Sequence, residues 1–457
     1  MTERQHQFEQ DPLERRKNFE PVEANLTPEQ AKLEASRCLN CKNPRCVEGC
    51  PVNINIPAFI KEIKEDNIKG AGDIIRQSSL LPSVCGRVCP QERQCEGRCV
   101  LGIKGESVSI GALERYVGDL TEMENTEIKE NGKKVAIIGS GCTGITAAAD
   151  LRRLGYKITV FEALHKLGGV LRYGIPPFRL PRTVLDKEID NLKSIGVDFK
   201  TNVVAGKSIT IKQLKDEGFG AILIGSGAGL PKMLGIEGEN LNGVYSANEF
   251  LTRVNLMGAN REETATPIRT GKKAAIIGGG NVAMDAARVA LRVGFDEVYI
   301  VYRRTEAELP ARKAEIRHAK EEGVIFNLLR NPVKIEGENG EVKSMVLDVM
   351  ELGEPDESGR RRPVSTGKTE NMEVDTVVVA LGTAPNPIIQ RSLETEDMDL
   401  TTDKKGYIVI DAQTGKTSIE GVFAGGDVAP SGESTAINAM GAGKRAAKAI
   451  HEYLSGK

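Results

Sequence analysis

Apolar positions along the chain follow two regimes: helical spacing up to about residue 120, then short runs ending at glycines from residue 134 onward. In the first regime, Thr27-Pro28-Glu29-Gln30 has the form of a capping box. A Thr accepts backbone N–H groups, Pro takes the first helical position, and Gln follows three residues after the Thr. This predicts a helix ending near Cys38. Residues 57–76 place Phe59, Ile60, Ile63, Ile74 and Ile75 at helix-like spacing, with a break expected at Gly70 and Gly72. The polar stretch 121–134 reads as a linker into a different architecture.

In the second regime a strand–glycine turn–helix–strand pattern occurs twice, at residues 133–162 and 272–304. Such a repeat implies two related nucleotide-binding βαβ units. Further apolar runs at 221–225, 377–382 and 422–426 end at glycines, as buried parallel strands do at a ligand crevice.

Composition narrows the class. At 457 residues the chain has room for about three domains of ~150 residues. The net charge of −2 argues against a nucleic-acid partner, which draws a basic surplus. The first thirty residues carry no apolar signal core, and no run approaches the ~20 residues of a membrane helix. The expectation is a cytoplasmic protein with no membrane association. Of nine cysteines, eight fall between Cys38 and Cys99, which in that setting favours metal ligation over disulfides.

The first repeat unit carries Gly139-Ser-Gly141-Cys-Thr-Gly144 before a helix expected to open near Ile145. In such a turn the first glycine permits the bend, the second admits a pyrophosphate, and the third allows close helix–strand packing. The helix N-terminus stabilises the phosphates. Glu162 ends the next strand, where an acid meets a ribose hydroxyl. The alternative is a glycine-tolerant turn without a ligand, and the co-occurrence of all these parts argues against it. The second unit carries Gly278-Gly-Gly280-Asn281-Val-Ala283, and its next strand ends in Arg303-Arg304. A carboxylate there would repel a 2′-phosphate, whereas guanidinium groups bind one, so NADP(H) is expected over NAD(H). The alternative is two exposed arginines on a loop.

The cysteines form Cys38-x2-Cys41-x4-Cys46-x3-Cys50-Pro51 and Cys85-x3-Cys89-Pro90-x5-Cys95-x3-Cys99. The Cys-Pro endings match ferredoxin runs, whose last Cys serves the other cluster. Structural zinc uses paired Cys-x2-Cys knuckles, and Cys38 with Cys41 alone has that spacing. Iron–sulfur ligation is therefore the expectation. Cys142 stands without the neighbouring cysteine that a disulfide reductase needs, so it is expected to be a small packed residue. The histidines show no ligand grouping, and His165 and His318 are expected at the surface.

Over essentially its whole length the chain resembles the small (β) subunit of NADPH-dependent glutamate synthase and its close relatives. These include the large subunit of NADH-dependent reduced ferredoxin:NADP oxidoreductase and the N-terminal half of dihydropyrimidine dehydrogenase. The matching motifs are CLNCKNPRCVEGCPVNINIPAFI (38–60), VCGRVCPQERQCEGRC (84–99), IGALERY (110–116), GGVLRYGIP (168–176), GGGNVAMD (278–285), VYRR (301–304) and GVFAGGDV (421–428). The resemblance implies an α/β chain in three parts. A helical domain (1–128) carries two 4Fe–4S clusters. A Rossmann-like FAD domain (129–264 and 384–457) follows, with a Rossmann-like NADPH domain (265–383) inserted in it. One cluster would take Cys38, Cys41, Cys46 and Cys99, and the other Cys50, Cys89, Cys95 and Glu114, where the pyrimidine branch has Gln. Cys85 is left spare, and whether it or Glu114 completes the second cluster stays open.

The resemblance also implies that Gly168, Gly169 and Leu171 approach the flavin. Gly426 and Asp427 would lie at its ribityl or phosphate region, and the helix start at Thr435-Ala436 would point at the isoalloxazine. The implied chemistry is hydride transfer from NADPH to FAD, then single electrons through the clusters to a second redox subunit. That partner would be a glutamate synthase large subunit or, alternatively, a 2Fe–2S flavoprotein subunit of an electron-bifurcating complex. Cofactors carry such chemistry, so no catalytic acid, base or nucleophile is expected. A cluster-bearing sensor is the competing class, and the complete NADPH unit argues against it.

Overall fold

The computed structural model describes residues 3–123, 127–355, 359 and 361–456. The capping box forms: Thr27 Oγ1 accepts from Gln30 N and Gln30 Oε1 accepts from Thr27 N, starting the helix Pro28–Ser36. The helices Ile56–Lys64 and Ile68–Ser78 follow. Their break falls at residues 65–67, not at Gly70 and Gly72 as expected. Asp66 takes φ 57° there, and Asn67 caps the second helix by accepting from Gly70 N. Gly72 serves packing instead, since a Cβ on it would stand 2.7 Å from Thr121 Oγ1. Pro82–Val88 and Ile110–Leu120 complete the helical domain. The start of the expected linker packs into this domain, Arg76 donating to the hydroxyl and carbonyl of Thr121, while residues 124–126 lie outside the described residues.

Two five-stranded parallel sheets come next. The first runs in the order Val422–Ala424, Phe219–Ile224, Lys134–Ile138, Lys157–Phe161, Asp198–Lys200. The second runs Val244–Ser246, Thr376–Val379, Lys273–Ile277, Glu297–Tyr302, Ile325–Leu328. Each centres on the strand before a glycine turn and pairs it with the next strand in sequence. The repeat is thus one topology used twice, with central strands buried on both faces as helix-covered parallel sheets require.

The second sheet is inserted between Phe219–Ile224 and Val422–Ala424 of the first. The two chain crossings lie side by side, Leu230–Pro231 pairing antiparallel with Thr383–Ala384. The strand Val244–Ser246, which precedes residue 265, pairs with Thr376–Val379 at the edge of the second sheet. A three-stranded antiparallel sheet, Arg330–Glu338, Glu341–Pro355 and Arg361–Glu373, packs on that unit through Ile335, Met345 and Leu347.

Apolar burial fixes how the helical domain meets the first sheet. Phe59, Ile75, Cys85 and Leu113 share one core with Cys142, Ile145 and Met440. Those last three come from the helices Cys142–Arg153 and Ala436–Ser455. His318, expected at the surface, is only 3% exposed, its Nε2 lying 3.3 Å from Glu9 Oε1 where the N-terminal segment crosses the helix Lys313–Glu321. His165 is exposed as expected. Among the described residues no helix is long and apolar enough to cross a membrane.

Candidate functional site

The cysteines separate into two sets. Cys38, Cys41, Cys46 and Cys99 line one cavity with Ile56, Ile60, Val108 and Ile110, and all four are half-buried. Burial raises the Cys46 thiol to about 11, with Cys99 and Cys38 adding to the shift, so these sulfurs feel one another. The second set lies deeper, and Cys50, Cys85, Cys89, Cys95 and Glu114 are all buried. Burial raises Cys50 to about 11, and Glu114 and Cys85 add to it. A hydrogen bond with the Cys85 thiol, together with burial, raises Cys89. Burial, then the charges of Glu96, Glu114 and Cys50, raise Cys95.

Burial and then Cys85 push up the Glu114 carboxyl, whose Oε1 has no hydrogen-bond partner. Leaving such a group unpartnered costs about 1–3 kcal/mol, which a metal bond would remove. Buried thiols and a carboxyl whose pKa burial raises are donors that a cationic centre deprotonates and binds. This donor set fits iron–sulfur clusters. It does not fit zinc, since Zn–S bonds of about 2.3 Å put sulfurs about 3.8 Å apart. Among the described residues no three cysteine sulfurs lie within 4.8 Å of one another. Cys85 has other company, its Sγ standing 3.7 Å from Ser79 Oγ and 3.6 Å from Met440 Sδ.

The first glycine turn shows a division of labour. Gly139 takes φ 99°, and a Cβ there would stand 2.4 Å from Gly225 O. On Gly144 a Cβ would stand 1.9 Å from Gly139 O, whereas on Gly141 it would meet nothing within 4 Å. The outer two glycines are required by packing, and the middle one faces open space where a pyrophosphate can approach. Overpacking costs about 1–3 kcal/mol, so Gly144→Ala is expected to lose most of its flavin on purification. The 450 nm absorbance per chain checks this, and full flavin content would refute it.

Ser140 ties the surrounding parts together. Its N–H and hydroxyl donate to Glu162 Oε2 at 2.9 and 2.6 Å, and its Oγ accepts from Gly168 N at 3.0 Å. Gly169, at φ 54°, backs onto Gly141, where its Cβ would stand 3.0 Å from the Gly141 Cα. Leu171 is fully buried beneath this loop. From the last strand, Gly426 admits Thr143, whose Oγ1 donates to Ala439 O at 3.0 Å. Thr435 caps the helix Ala436–Ser455 by accepting from Asn438 N. Burial raises the Asp427 carboxyl. Burial also raises Tyr173 to about 12, with Asp427, Glu162 and Cys142 adding to the shift. The strands Lys134–Ile138, Lys157–Phe161 and Val422–Ala424 run parallel in the first sheet and lead into Gly139, Glu162 and the Gly426-Asp427 turn, so these share its C-terminal edge, where such sheets form their ligand crevice.

In the second turn, a Cβ on Gly278 would stand 2.5 Å from Ala380 O, and one on Gly280 would meet nothing within 4 Å. Ala283 is fully buried. Asn281 opens the helix Asn281–Arg292, and its Oδ1 accepts from Arg312 N at 2.9 Å. The strand Glu297–Tyr302 delivers Arg303 and Arg304 to the same edge. Arg303 is exposed, while Arg304 is half-buried and its Nε donates to Arg361 O at 2.8 Å. Three participants were not legible beforehand. Ser140 and Tyr173 sit inside motifs noted for other residues, and nothing around Arg312 in the sequence marks it.

Residues 15–126 match the family described as dihydropyrimidine dehydrogenase domain II, 4Fe-4S cluster, and residues 133–443 match that of pyridine nucleotide-disulphide oxidoreductases. The glutamate synthase [NADPH] small chain of Escherichia coli (strain K12) is 36% identical over 458 residues, covering 97% of this chain and 96% of that protein. The chain belongs to this family. It is an NADPH-linked iron–sulfur flavoprotein oxidoreductase, with FAD, NADPH and 4Fe–4S as its cofactors. Subunit beta of the NADP(+)-dependent formate dehydrogenase of Moorella thermoacetica is 39% identical over 438 residues. There the match covers 90% of this chain but spans 60% of that protein. Among solved structures, Mycobacterium tuberculosis FprA in complex with NADPH shares the fold, with a TM-score of 0.59 and 21% identity over 71% of this chain and 85% of that one.

Proposed function

We propose that the chain is the electron-entry subunit of a larger redox assembly. NADPH docks on Gly278, Gly280, Asn281 and Ala283, with Arg303 and Arg304 at its 2′-phosphate. FAD lies along Gly139, Gly141, Gly144 and Glu162, flanked by Gly168, Gly169 and Leu171. Gly426, Asp427 and the helix start at Thr435-Ala436 close its crevice, the helix N-terminus favouring negative charge on the flavin. Two 4Fe–4S clusters are held, one by Cys38, Cys41, Cys46 and Cys99, the other by Cys50, Cys89, Cys95 and Glu114. When bound, FAD supplies hydride acceptance and the clusters supply one-electron transfer. The chain's own part is to hold these groups in order and keep water from the inner ones.

One observation supports the reading: the deep cysteine set shares a core with Cys142 of the first glycine turn, while Cys38, Cys46 and Cys99 of the other set pack at the edge of that core. Burial raises the Cys142 thiol inside that turn, with Cys85 and Asp427 adding to the shift. Met440 touches Cys85 from the helix that Thr435 caps. The other set is half-exposed. Hydride exchange at a flavin needs neither set, whereas electron export to a second protein uses them. The end-to-end match to a small chain supports a partner of the glutamate synthase large-subunit type. The matching unit in a formate dehydrogenase subunit supports the view that the partner, not this chain, sets the final acceptor.

Anaerobically purified protein should contain about eight iron and eight acid-labile sulfide per chain, and stoichiometric zinc without cluster absorbance would refute the ligation. The pure chain should oxidise NADPH with artificial acceptors yet form no glutamate from 2-oxoglutarate with glutamine or ammonium. Robust glutamate formation without a second polypeptide would overturn the entry-subunit reading.

A further inference from the structure

Arg312 has its backbone on the second glycine turn and its side chain in the helical domain. Its N–H donates to Asn281 Oδ1 at 2.9 Å, and the N–H of Ala311 donates to Gly279 O at 3.2 Å. Residues 311 and 312 are therefore pinned to the turn. The guanidinium reaches the other way, Nη1 donating to Arg87 O at 2.8 Å and Nη2 to Gln91 Oε1 at 2.5 Å. Next to it, Lys313 N donates to Glu92 Oε1 at 3.1 Å.

Gln91 passes the contact inward. It is 5% exposed, and its Nε2 donates to Cys85 O at 3.3 Å and to Gly86 O at 3.1 Å. The Cys85 carbonyl also accepts from Cys89 N at 3.1 Å. Across from it, a Cβ on Gly111 would stand 2.5 Å from Gln91 Nε2, so the amide is wedged against the helix that carries Glu114. Because Arg312 can only donate, it fixes the Gln91 amide with oxygen toward the nucleotide turn and nitrogen toward the cysteine set. A continuous chain of hydrogen bonds thus runs from Asn281 through Arg312 and Gln91 to the backbone between Cys85 and Cys89. Hydrogen bonding around a cluster is one of the levers that set its potential.

We propose that Arg312 is a positioning residue through which occupancy of the second glycine turn alters the redox behaviour of the deep cysteine set. The proposal rests on the cofactor assignment above. By linkage, a nucleotide that changes the cluster potential must bind the oxidised and reduced forms with different affinity. A threefold difference corresponds to about 28 mV for one electron, at 59 mV per tenfold.

The test uses the holoprotein and 2′,5′-ADP, which carries the 2′-phosphate but cannot be reduced. In the wild type, saturating 2′,5′-ADP is expected to shift the EPR-monitored midpoint of one cluster by about that amount, leaving the other unchanged. Arg312→Ala should keep its iron content and bind 2′,5′-ADP within a few fold of wild type, yet lose the shift. Should Arg312→Ala fail to fold, Arg312→Lys replaces it: its ammonium lacks the planar two-nitrogen fork by which Nη1 and Nη2 hold Arg87 O and Gln91 Oε1 in fixed geometry, so its shift should be at most half. Absence of a shift in the wild type despite measured 2′,5′-ADP binding overturns the coupling alone. A full shift in either Arg312 variant does the same. No binding of 2′,5′-ADP at millimolar concentration overturns the nucleotide assignment and the coupling with it.

Discussion

Replacing Arg303 and Arg304 together by glutamine is expected to raise the KM for NADPH roughly a hundredfold and that for NADH at most a few fold. The reason is chemical, because only NADPH presents a 2′-phosphate, and guanidinium–phosphate hydrogen bonds are charge-assisted and directional. Each bond to a charged group contributes about 1.5–3 kcal/mol, so losing two costs about 3 kcal/mol or more, or roughly two decades in affinity. The two residues differ in what else they do. Arg303 is exposed and free to meet a ligand, whereas Arg304 also anchors the strand Arg361–Glu373 through the Arg361 carbonyl. Arg303→Gln alone is therefore the cleaner probe and should lose about half the effect on a logarithmic scale. Steady-state rates with ferricyanide as acceptor measure both nucleotides. Equal use of NADH and NADPH by the unmodified protein would remove the assignment.

Glu114→Ala is expected to cut iron content from about eight to about four per chain, abolishing one EPR signal and sparing the other. Five donors crowd the deep site, and the structure separates two of them by what they already bond. The Cys85 thiol is engaged with Cys89 and lies against Ser79 and Met440. Glu114 Oε1, equally buried, has no partner. On the ligation proposed above, this oxygen rather than the Cys85 sulfur would bind the metal, so Cys85→Ser should keep both clusters. The assignment fails if Cys85→Ser loses a cluster while Glu114→Ala keeps both.

What could be read beforehand was local. Each glycine turn joins its strand to its helix within a few residues, so Gly139, Gly144 and Gly278 were visible through spacing, although Gly139 and Gly278 are crowded by the distant Gly225 and Ala380. The capping box at Thr27 was legible for the same reason. The interrupted helix was misplaced because two glycines suggested a break, while the chain turned at Asp66 and used Gly72 for close packing against Thr121. The strand Val244–Ser246 is three residues long and has no glycine turn after it, so periodicity could not reveal it. His318 and Arg312 take their meaning from residues more than two hundred positions away, Glu9 and Gln91, and no local pattern encodes such pairs.

The place of the strand Val422–Ala424 has a consequence for how the molecule is made. It pairs with Phe219–Ile224, from which the entire inserted unit separates it in the chain. Such non-local pairings form late, because a long loop must close first. During synthesis the first glycine turn leaves the ribosome early, and the inserted unit can complete its own sheet next. The strand, the Gly426-Asp427 turn and the helix Ala436–Ser455 arrive after the inserted unit. The crevice that begins at Gly139 therefore closes only after the inserted unit has been made, and a flavin can be captured there only once the helix Ala436–Ser455 has been translated.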